Sequence, residues 1–351
     1  MRLGDIARES RGTYKGDKTD IPIVGLEHLV SGELKFSEYE LNTDNTFNRC
    51  FHKGQILFGR RRAYLKKAAV AEFDGICSGD ITVIEAIPGK VDERLLPFII
   101  QNDRLFDFAV SRSAGGLSPR VKWEHLADYE LELPSIEEQR ILAEKLWAAY
   151  ELKEAYKKMI AATDEMVKSQ FIEMFGKMGT TPIKEYVLDS YPGEWGVEDT
   201  DGNGVRVIRT TNFTNTGKLN LADVVTRNIE EKKVSCKRIL KYDTILERSG
   251  GTNDNPVGRV VLFEEDGLFL CNNFTQVLRF KDIDPRFAFY ALFYFYQTNR
   301  TAIRSMGSKT TGIQNLNMSK YLEIGIPNAT TEQQYAFMQI AEQADKSKLV
   351  D

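Results

Sequence analysis

The sequence has no run of about eighteen uninterrupted apolar residues, the minimum for a membrane-spanning helix. Its first residues, MRLGDIARES, lack the charged-then-apolar order of a secretory leader, so the chain is expected to be soluble and cytoplasmic. Cysteine and histidine are scarce. Cys50, Cys77, Cys236 and Cys271 show no CxxC spacing and only His28, His52 and His125 are available to join them, so neither a zinc site nor disulfides are expected. A surplus of positive charge is missing as well, since 47 Lys and Arg stand against 51 Asp and Glu for a net charge of −4. Coating nucleic acid by bulk electrostatics requires many unopposed cations, which excludes that mode and leaves room only for local basic patches.

Recognisable reaction chemistry is equally sparse. A DNA amino-methyltransferase would carry an Asn/Asp-Pro-Pro-aromatic loop and a glycine-rich cofactor turn, and the nearest approach, Asn272-Asn273-Phe274, lacks both prolines. Asp74, Glu85 and Lys90 form at most a loose nuclease-like set, of the kind that chance supplies in a chain with 51 acidic residues. Gly250-Gly251-Thr252 lacks the lysine of a phosphate-binding loop. No catalytic or metal-binding residue is assigned, and a lone His28 or His125 is read as structural.

What is present is a duplication. A chain of 351 residues with 42% hydrophobic and 11% aromatic content can fill more than one core, because single cores stop growing near ~250–300 residues. SAGGLSPRVKWEHLADYELELPSIEEQ (113–139) and MGSKTTGIQNLNMSKYLEIGIPNATTEQQ (306–334) each run through a Gly/Ser-rich loop and a short polar helix. Each continues into an alternating strand (129–133; 322–326), a proline and Glu-Gln. Upstream, FHKGQILFGRRRAYLKKAAVAEFDGICSGDITVI aligns with LKYDTILERSGGTNDNPVGRVVLFEEDGLFLCNNFTQVL. The spacing of Pro134 from Pro327 agrees with that of Cys77 from Cys271 to within one residue. Each unit reads as short strands punctuated by turns at Lys53-Gly54, Asp74-Gly75, Gly250-Gly251 and Asp266-Gly267, followed by a helix that in the second unit is rich in aromatics (287–296).

Between the units, 136–175 contains neither proline nor glycine, and a stripe recurs at three- and four-residue steps through Leu142, Leu146, Ala149, Leu152, Tyr156, Met159, Thr163 and Met166. Ser135 with Glu137 and Glu138 marks the start of a helix and Gly176 its stop, a length of roughly 60 Å at 1.5 Å per residue. A second helix begins after Thr330 or Thr331, with Phe337 and Ile340 opening its own stripe, and is about half as long. The two stripes are expected to pack together, antiparallel and in coiled-coil fashion. The unpaired stretch around Tyr156, Met159 and Met166 is expected to seek another copy or a partner protein.

Globule, long helix, globule and second helix, with LPSIEEQRILAEKL closing the first globule and IPNATTEQQYAFMQIAEQ the second, resemble the specificity subunit of Type I restriction-modification systems. VRVIRTTNFTNTGKL (205–219), like the opening of a target recognition domain, and the Pro-Gly-Glu-Trp-Gly run at 192–196 add to the likeness, which covers essentially the whole chain. The fold class expected is α+β. Two similar mixed α/β target recognition globules, 1–134 and 177–328, are separated by a long spacer helix, 135–176, and followed by a second conserved helix, 329–351, shorter than the family pattern.

The resemblance implies a non-catalytic subunit whose globules each read one half of a bipartite, asymmetric site in double-stranded DNA. Its helices would set the spacing and bind methyltransferase subunits and, through them, restriction subunits, with self-association through the helices as a further expectation. No cofactor belongs to this chain on that reading; S-adenosylmethionine, ATP and Mg are expected on the partners. The alternatives are a protein-interaction scaffold, or the specificity part of a split or fused restriction enzyme.

The residues expected to touch DNA follow from charge and hydrogen-bonding capacity. Arg60, Arg61, Arg62, Lys66 and Lys67 crowd five cations into eight residues between strands, suited to phosphates or, for a forked Arg, to guanine. Arg120 and Lys122 lie in the glycine-containing loop of the first unit, and Lys309, Thr310, Thr311, Gln314 and Asn315 in its counterpart. Asn and Gln can pair with adenine. Arg248, Ser249, Thr252 and Asn253 sit opposite the arginine cluster in the repeat alignment, and Arg209, Thr211 and Asn212 follow a strand. Solvated hairpin tips and strand-end turns are the plain structural explanations for these segments.

Overall fold

Ile56–Gly59 and Ile81–Ala86 lack the usual alternation of apolar and polar residues, and the computed structural model explains why: both are central strands buried on two faces. The structure describes residues 1–252, 254–310 and 313–348, with the side chains at 309 and 310 set aside. The chain divides into two units, Met1–Lys157 and one beginning at Lys158.

In the first unit a four-stranded sheet runs Ala7–Glu9, Ile81–Ala86, Ile56–Gly59, Ala68–Val70. Successive side chains of a strand point to opposite faces. Ile56 and Phe58 therefore join Leu3, Ile84 and Phe106 in one core, while Leu57 joins Val24, Phe51 and Val83 in another. The first core is closed by the helices Leu96–Ile100, Asp103–Ser111 and Trp123–Leu126, the second by a small sheet of Ile23–Val24, Gly75–Cys77 and Arg49–Phe51.

The second unit repeats this logic. Its sheet runs Val187–Pro192, Thr275–Phe280, Thr244–Glu247, Val260–Leu262, the same order of equivalent strands. Leu246 and Leu278 face a core with Phe171, Phe287 and Phe337, and Ile245 and Val277 face one with Ile208 and Phe269. A parallel pair recurs at matching residues, Val24 beside Cys77 and Ile208 beside Cys271. The aromatic helix is observed at Pro285–Thr298, capped by the Asp284 side chain on the Arg286 N–H. The strand expected at 129–133 is reduced to a single bridge between Arg2 and Glu130, and that expected at 322–326 is a three-residue strand, Gly325–Pro327.

The long helix spans Ile136–Phe175, 40 residues. Ser135 caps it reciprocally: its N–H donates to Glu138 Oε2 at 2.9 Å and its Oγ accepts from the Glu138 N–H at 3.4 Å. At Gly176, just past its end, a Cβ would lie 2.6 Å from the Ile172 carbonyl oxygen, which favours glycine there. The second helix, Thr331–Lys348, lies antiparallel on its last turns: Phe337 packs 5.1 Å from Phe171 and 5.8 Å from Phe175, and further along Lys348 hydrogen-bonds Asp164. Phe337 is buried and Ile340 half-buried.

The phase expected for the pairing stripe of the long helix is corrected. Leu142 and Leu152 are exposed and Leu146 only half-buried, whereas Gln139, Ala143, Val167, Phe171 and Phe175 are buried; Tyr156, Met159 and Met166, in the stretch expected to be unpaired, are exposed. The covered face is rotated by about one residue and takes in Gln139 and the half-buried Trp147 and Tyr150. Among the described residues, no helix is long and apolar enough to cross a membrane.

Candidate nucleic-acid interface

Each unit brings two distant loops together at one end of its main sheet, and does so with the same backbone hydrogen bonds. In the first unit the Arg60 N–H donates to the Asp80 carbonyl at 2.9 Å and the Arg60 carbonyl accepts from Val121 N–H at 3.0 Å. In the second, Arg248 N–H donates to the Phe274 carbonyl at 2.9 Å and its carbonyl accepts from Leu316 N–H at 2.8 Å. These bonds set Arg61 opposite Arg120 and Ser249 opposite Asn315. The glycine-containing loops fold back on themselves alongside, through Ala114 and Arg120 in one unit and Ser308 and Asn315 in the other.

The side chains at this shared position differ. In the first unit Asp80 accepts from Arg120 Nε at 2.7 Å and Arg61 Nη1 at 3.2 Å, and Arg61 Nη2 donates to Ser118 Oγ at 3.0 Å. Burial pushes the Asp80 carboxyl upward, but the bonds from Arg120 and Arg61 outweigh it and hold the group below the ordinary carboxylate value. Arg62 reaches only Ser118, at 3.5 Å, and Lys122 makes no ion pair among the described residues. Arg62 and Lys66 both adopt left-handed backbone (φ 53° and 50°) on either side of the turn Ala63–Leu65, a conformation that costs a side-chain-bearing residue roughly 1–2 kcal/mol.

Lys66 and Lys67 have partners of their own. Lys66 Nζ pairs with Asp103 at 2.6 Å and Lys67 Nζ donates to the Leu26 carbonyl at 2.8 Å. Arg60 instead lines a depression of about 610 Å³ with Glu9, Arg11, Arg49, Lys122, Trp123, Glu124 and His125. Glu9 bridges Arg11 and Arg49 there at 2.9 and 2.7 Å, and the Arg60 Nε is enclosed with no partner among the described residues. Arg11, Arg49, Asp80 and Ser118 are the residues that sequence reasoning missed; only the folded sheet brings positions so far apart in the chain to one place.

In the second unit the Ser249 hydroxyl donates to Asn315 Oδ1 at 2.7 Å, and Gln314 is half-buried next to it. Thr252 is exposed, its hydroxyl oxygen accepting from Asn255 N–H at 3.0 Å. Arg248 is half-buried and makes no ion pair among the described residues. Behind them Glu247, 2% exposed, is paired with Arg259 at 2.7 Å.

Two expectations need correction. Asn212 is buried, and its amide is consumed inside the fold: Oδ1 accepts from Arg209 N–H at 2.8 Å and Nδ2 donates to the carbonyls of Asn220 and Asp223 at 3.0 and 2.9 Å. Ser249 is buried and acts on Asn315 rather than on an external group. Arg209 pairs with Asp223 at 2.9 Å, while Thr211 is exposed. Asn253 and Thr311 lie outside the described residues, as do the side chains of Lys309 and Thr310. His28 is buried and its Nδ1 accepts the Gly25 N–H at 2.9 Å, closing a turn.

Comparisons with known proteins agree on one family. The family described as the Type I restriction modification DNA specificity domain matches twice, over residues 1–161 and 177–347. The Type I restriction enzyme EcoDI specificity subunit of Escherichia coli is 25% identical over 122 residues, 34% of this chain and 27% of that protein, so the match spans about a quarter of the relative's length. Among solved structures, the S subunit of a Type I restriction-modification system from M. genitalium superposes with a TM-score of 0.59 at 13% identity, over 99% of this chain and 89% of that one. A chain from a structure addressing complex assembly and conformational transition of the type I R-M system gives 0.51 at 16% identity, over 99% and 91%. At these identities the structural likeness establishes the fold.

Proposed function

We propose, for a chain that belongs to the family of Type I restriction-modification DNA specificity domains and carries that domain twice, that each unit reads one half of a bipartite, asymmetric site in double-stranded DNA. The observation that carries this reading is the paired-loop edge, built with the same backbone bonds in both units and armed with guanidinium groups in one and a carboxamide in the other. Backbone-positioning contacts would come from Arg62, Lys122 and Arg60, and base contacts from the side chains at the bridge itself. Left-handed backbone at Arg62 and Lys66 fits a turn shaped for binding rather than for stability alone.

The helices are the spacing and docking elements in this proposal. A helix of 40 residues extends about 60 Å, longer than one turn of B-DNA at ~34–36 Å, so half-sites separated by several unread base pairs suit it. The exposed Leu152, Tyr156, Met159 and Met166 offer methyltransferase subunits an apolar strip. Chemistry on DNA then belongs to those partners, with their S-adenosylmethionine, ATP and Mg, and this subunit is non-catalytic.

Selection from a random duplex library with the chain co-purified with its methyltransferase partner tests the reading. Two short blocks around a fixed unread gap are the expected product. Retained DNA with no motif above background would overturn it.

A further inference from the structure

The side chains at the bridge differ between the units in a way that names bases, provided the DNA-reading function above holds. Arg61 has both terminal nitrogens engaged, Nη1 on Asp80 and Nη2 on Ser118. Arg120 is anchored to Asp80 through Nε alone; its two terminal nitrogens have no partner among the described residues, and its side chain is 44% exposed. A guanidinium held at Nε and open at Nη1 and Nη2 presents two parallel N–H donors. That fork matches the O6 and N7 acceptors of guanine in the major groove, and no other base offers two acceptors side by side there.

Asp80 supplies what a free arginine lacks. Its carboxylate is held on a turn, with its own N–H on Ser78 Oγ at 3.2 Å and its carbonyl accepting from Arg60. Anchoring both Arg61 and Arg120 from this fixed point removes rotamer freedom before DNA arrives, so less entropy is lost on recognition.

In the second unit the equivalent of Asp80 is Phe274, 41% exposed, and the equivalents of Arg61 and Arg120 are Ser249 and Asn315. The buried Ser249 hydroxyl takes one lone pair of Asn315 Oδ1 and thereby orients the carboxamide. The second lone pair and the Nδ2 donors have no partner among the described residues. One acceptor beside one donor is the complement of adenine, whose N6 donates and N7 accepts.

We infer that the two units read different bases from the same place in the fold: Arg120, oriented by Asp80, reads a guanine in one half-site, and Asn315, oriented by Ser249, reads an adenine in the other. Asp80 and Ser249 are positioning residues.

The library selection above is repeated with Arg120→Ala, Arg120→Lys, Asp80→Asn and Asn315→Ala in the full chain with its methyltransferase partner, with thermal unfolding to check folding. The wild type should yield a guanine in one block whose discrimination falls roughly 5- to 150-fold in both Arg120 variants, the range for one bidentate contact. Arg120→Lys retains the charge, so it keeps overall affinity and the other block, which separates loss of the fork from loss of folding. Asp80→Asn should relax the same guanine without altering the gap, and Asn315→Ala should relax one adenine in the opposite block. A split motif whose guanine survives both Arg120 variants overturns the base assignment and leaves the DNA-reading function standing. A wild type that enriches no motif overturns both.

Discussion

Arg259 donates from Nε to Glu247 Oε2 at 2.7 Å, with the Glu247 side chain 2% exposed at the end of the strand Thr244–Glu247 that leads into Arg248 and Ser249. A second bond, Arg259 Nη2 to Thr210 O at 3.4 Å, ties the same guanidinium to the turn after Ile208. Removing one member of such a pair leaves an uncompensated charge in the core. Arg259→Ala or Glu247→Ala should therefore destabilise the second unit by ~3–5 kcal/mol, while replacing both with apolar residues of similar volume should recover most of that. Urea unfolding followed by tryptophan fluorescence checks it; equal losses in single and double variants would contradict the pairing.

Gln139 and Gln334 do the same work in the two units. Gln139 Oε1 accepts from Asp92 N–H at 3.0 Å and its Nε2 donates to the Pro134 carbonyl at 2.9 Å, while Gln334 Oε1 accepts from Asp284 N–H at 3.0 Å and its Nε2 donates to the Ala329 carbonyl at 2.9 Å. Each pins the start of the helix that follows its globule to the loop before an inner helix of that globule. Gln139→Ala and Gln334→Ala should each cost about 1–3 kcal/mol by leaving a buried N–H unsatisfied. Similar shifts of the denaturation midpoint for both variants are the expected readout, and a neutral outcome for either would remove its structural role.

Charge substitutions should separate free from internally paired cations. Arg62→Ala and Lys122→Ala should each lower the slope of log K against log salt by about 1, the signature of one lost phosphate contact. Lys66→Ala should leave that slope nearly unchanged, because its ammonium already pairs with Asp103 at 2.6 Å. Salt titrations of DNA binding by the assembled complex decide the matter, and a large slope change for Lys66→Ala would place it on the DNA.

Thiol labelling should report burial. Burial pushes the Cys77 thiol up to about 12 and the Cys271 thiol up to about 11, so at pH 8 neither is a thiolate in the folded protein. Cys236 is exposed. Alkylation at pH 8 should modify Cys236 first and reach Cys77 and Cys271 only when denaturant opens the cores. Labelling of Cys77 at the rate of Cys236, seen by peptide mass mapping, would contradict the packing.

The duplicated architecture was readable from residue order because its signals are local. Ser135 with Glu138 announces a helix start, the absence of proline and glycine from 136 to 175 lets the helix run unbroken, and Pro134 and Pro327 sit at matching places in a repeated pattern. Segment equivalence followed only coarsely: the repeat opposes the arginine cluster to the segment from Arg248 and the loop 113–122 to 308–315, whereas the register that gives Arg61 and Ser249, and Arg120 and Asn315, the same places is set by the backbone bonds. Which groups each polar side chain partners was not readable in this way. Nothing near Asp80 in sequence announces that it anchors both Arg61 and Arg120, nor that Asn212 spends its amide on Asn220 and Asp223, nor that Lys67 is held by the Leu26 carbonyl. Composition and periodicity encode which segments become strands, helices and turns, since those depend on neighbours within a few residues. Which cations stay free for another molecule depends on sheet and loop pairing that joins separate segments, 19 residues apart for Arg61 and Asp80 and 40 for Asp80 and Arg120, and so exists only once the chain has folded.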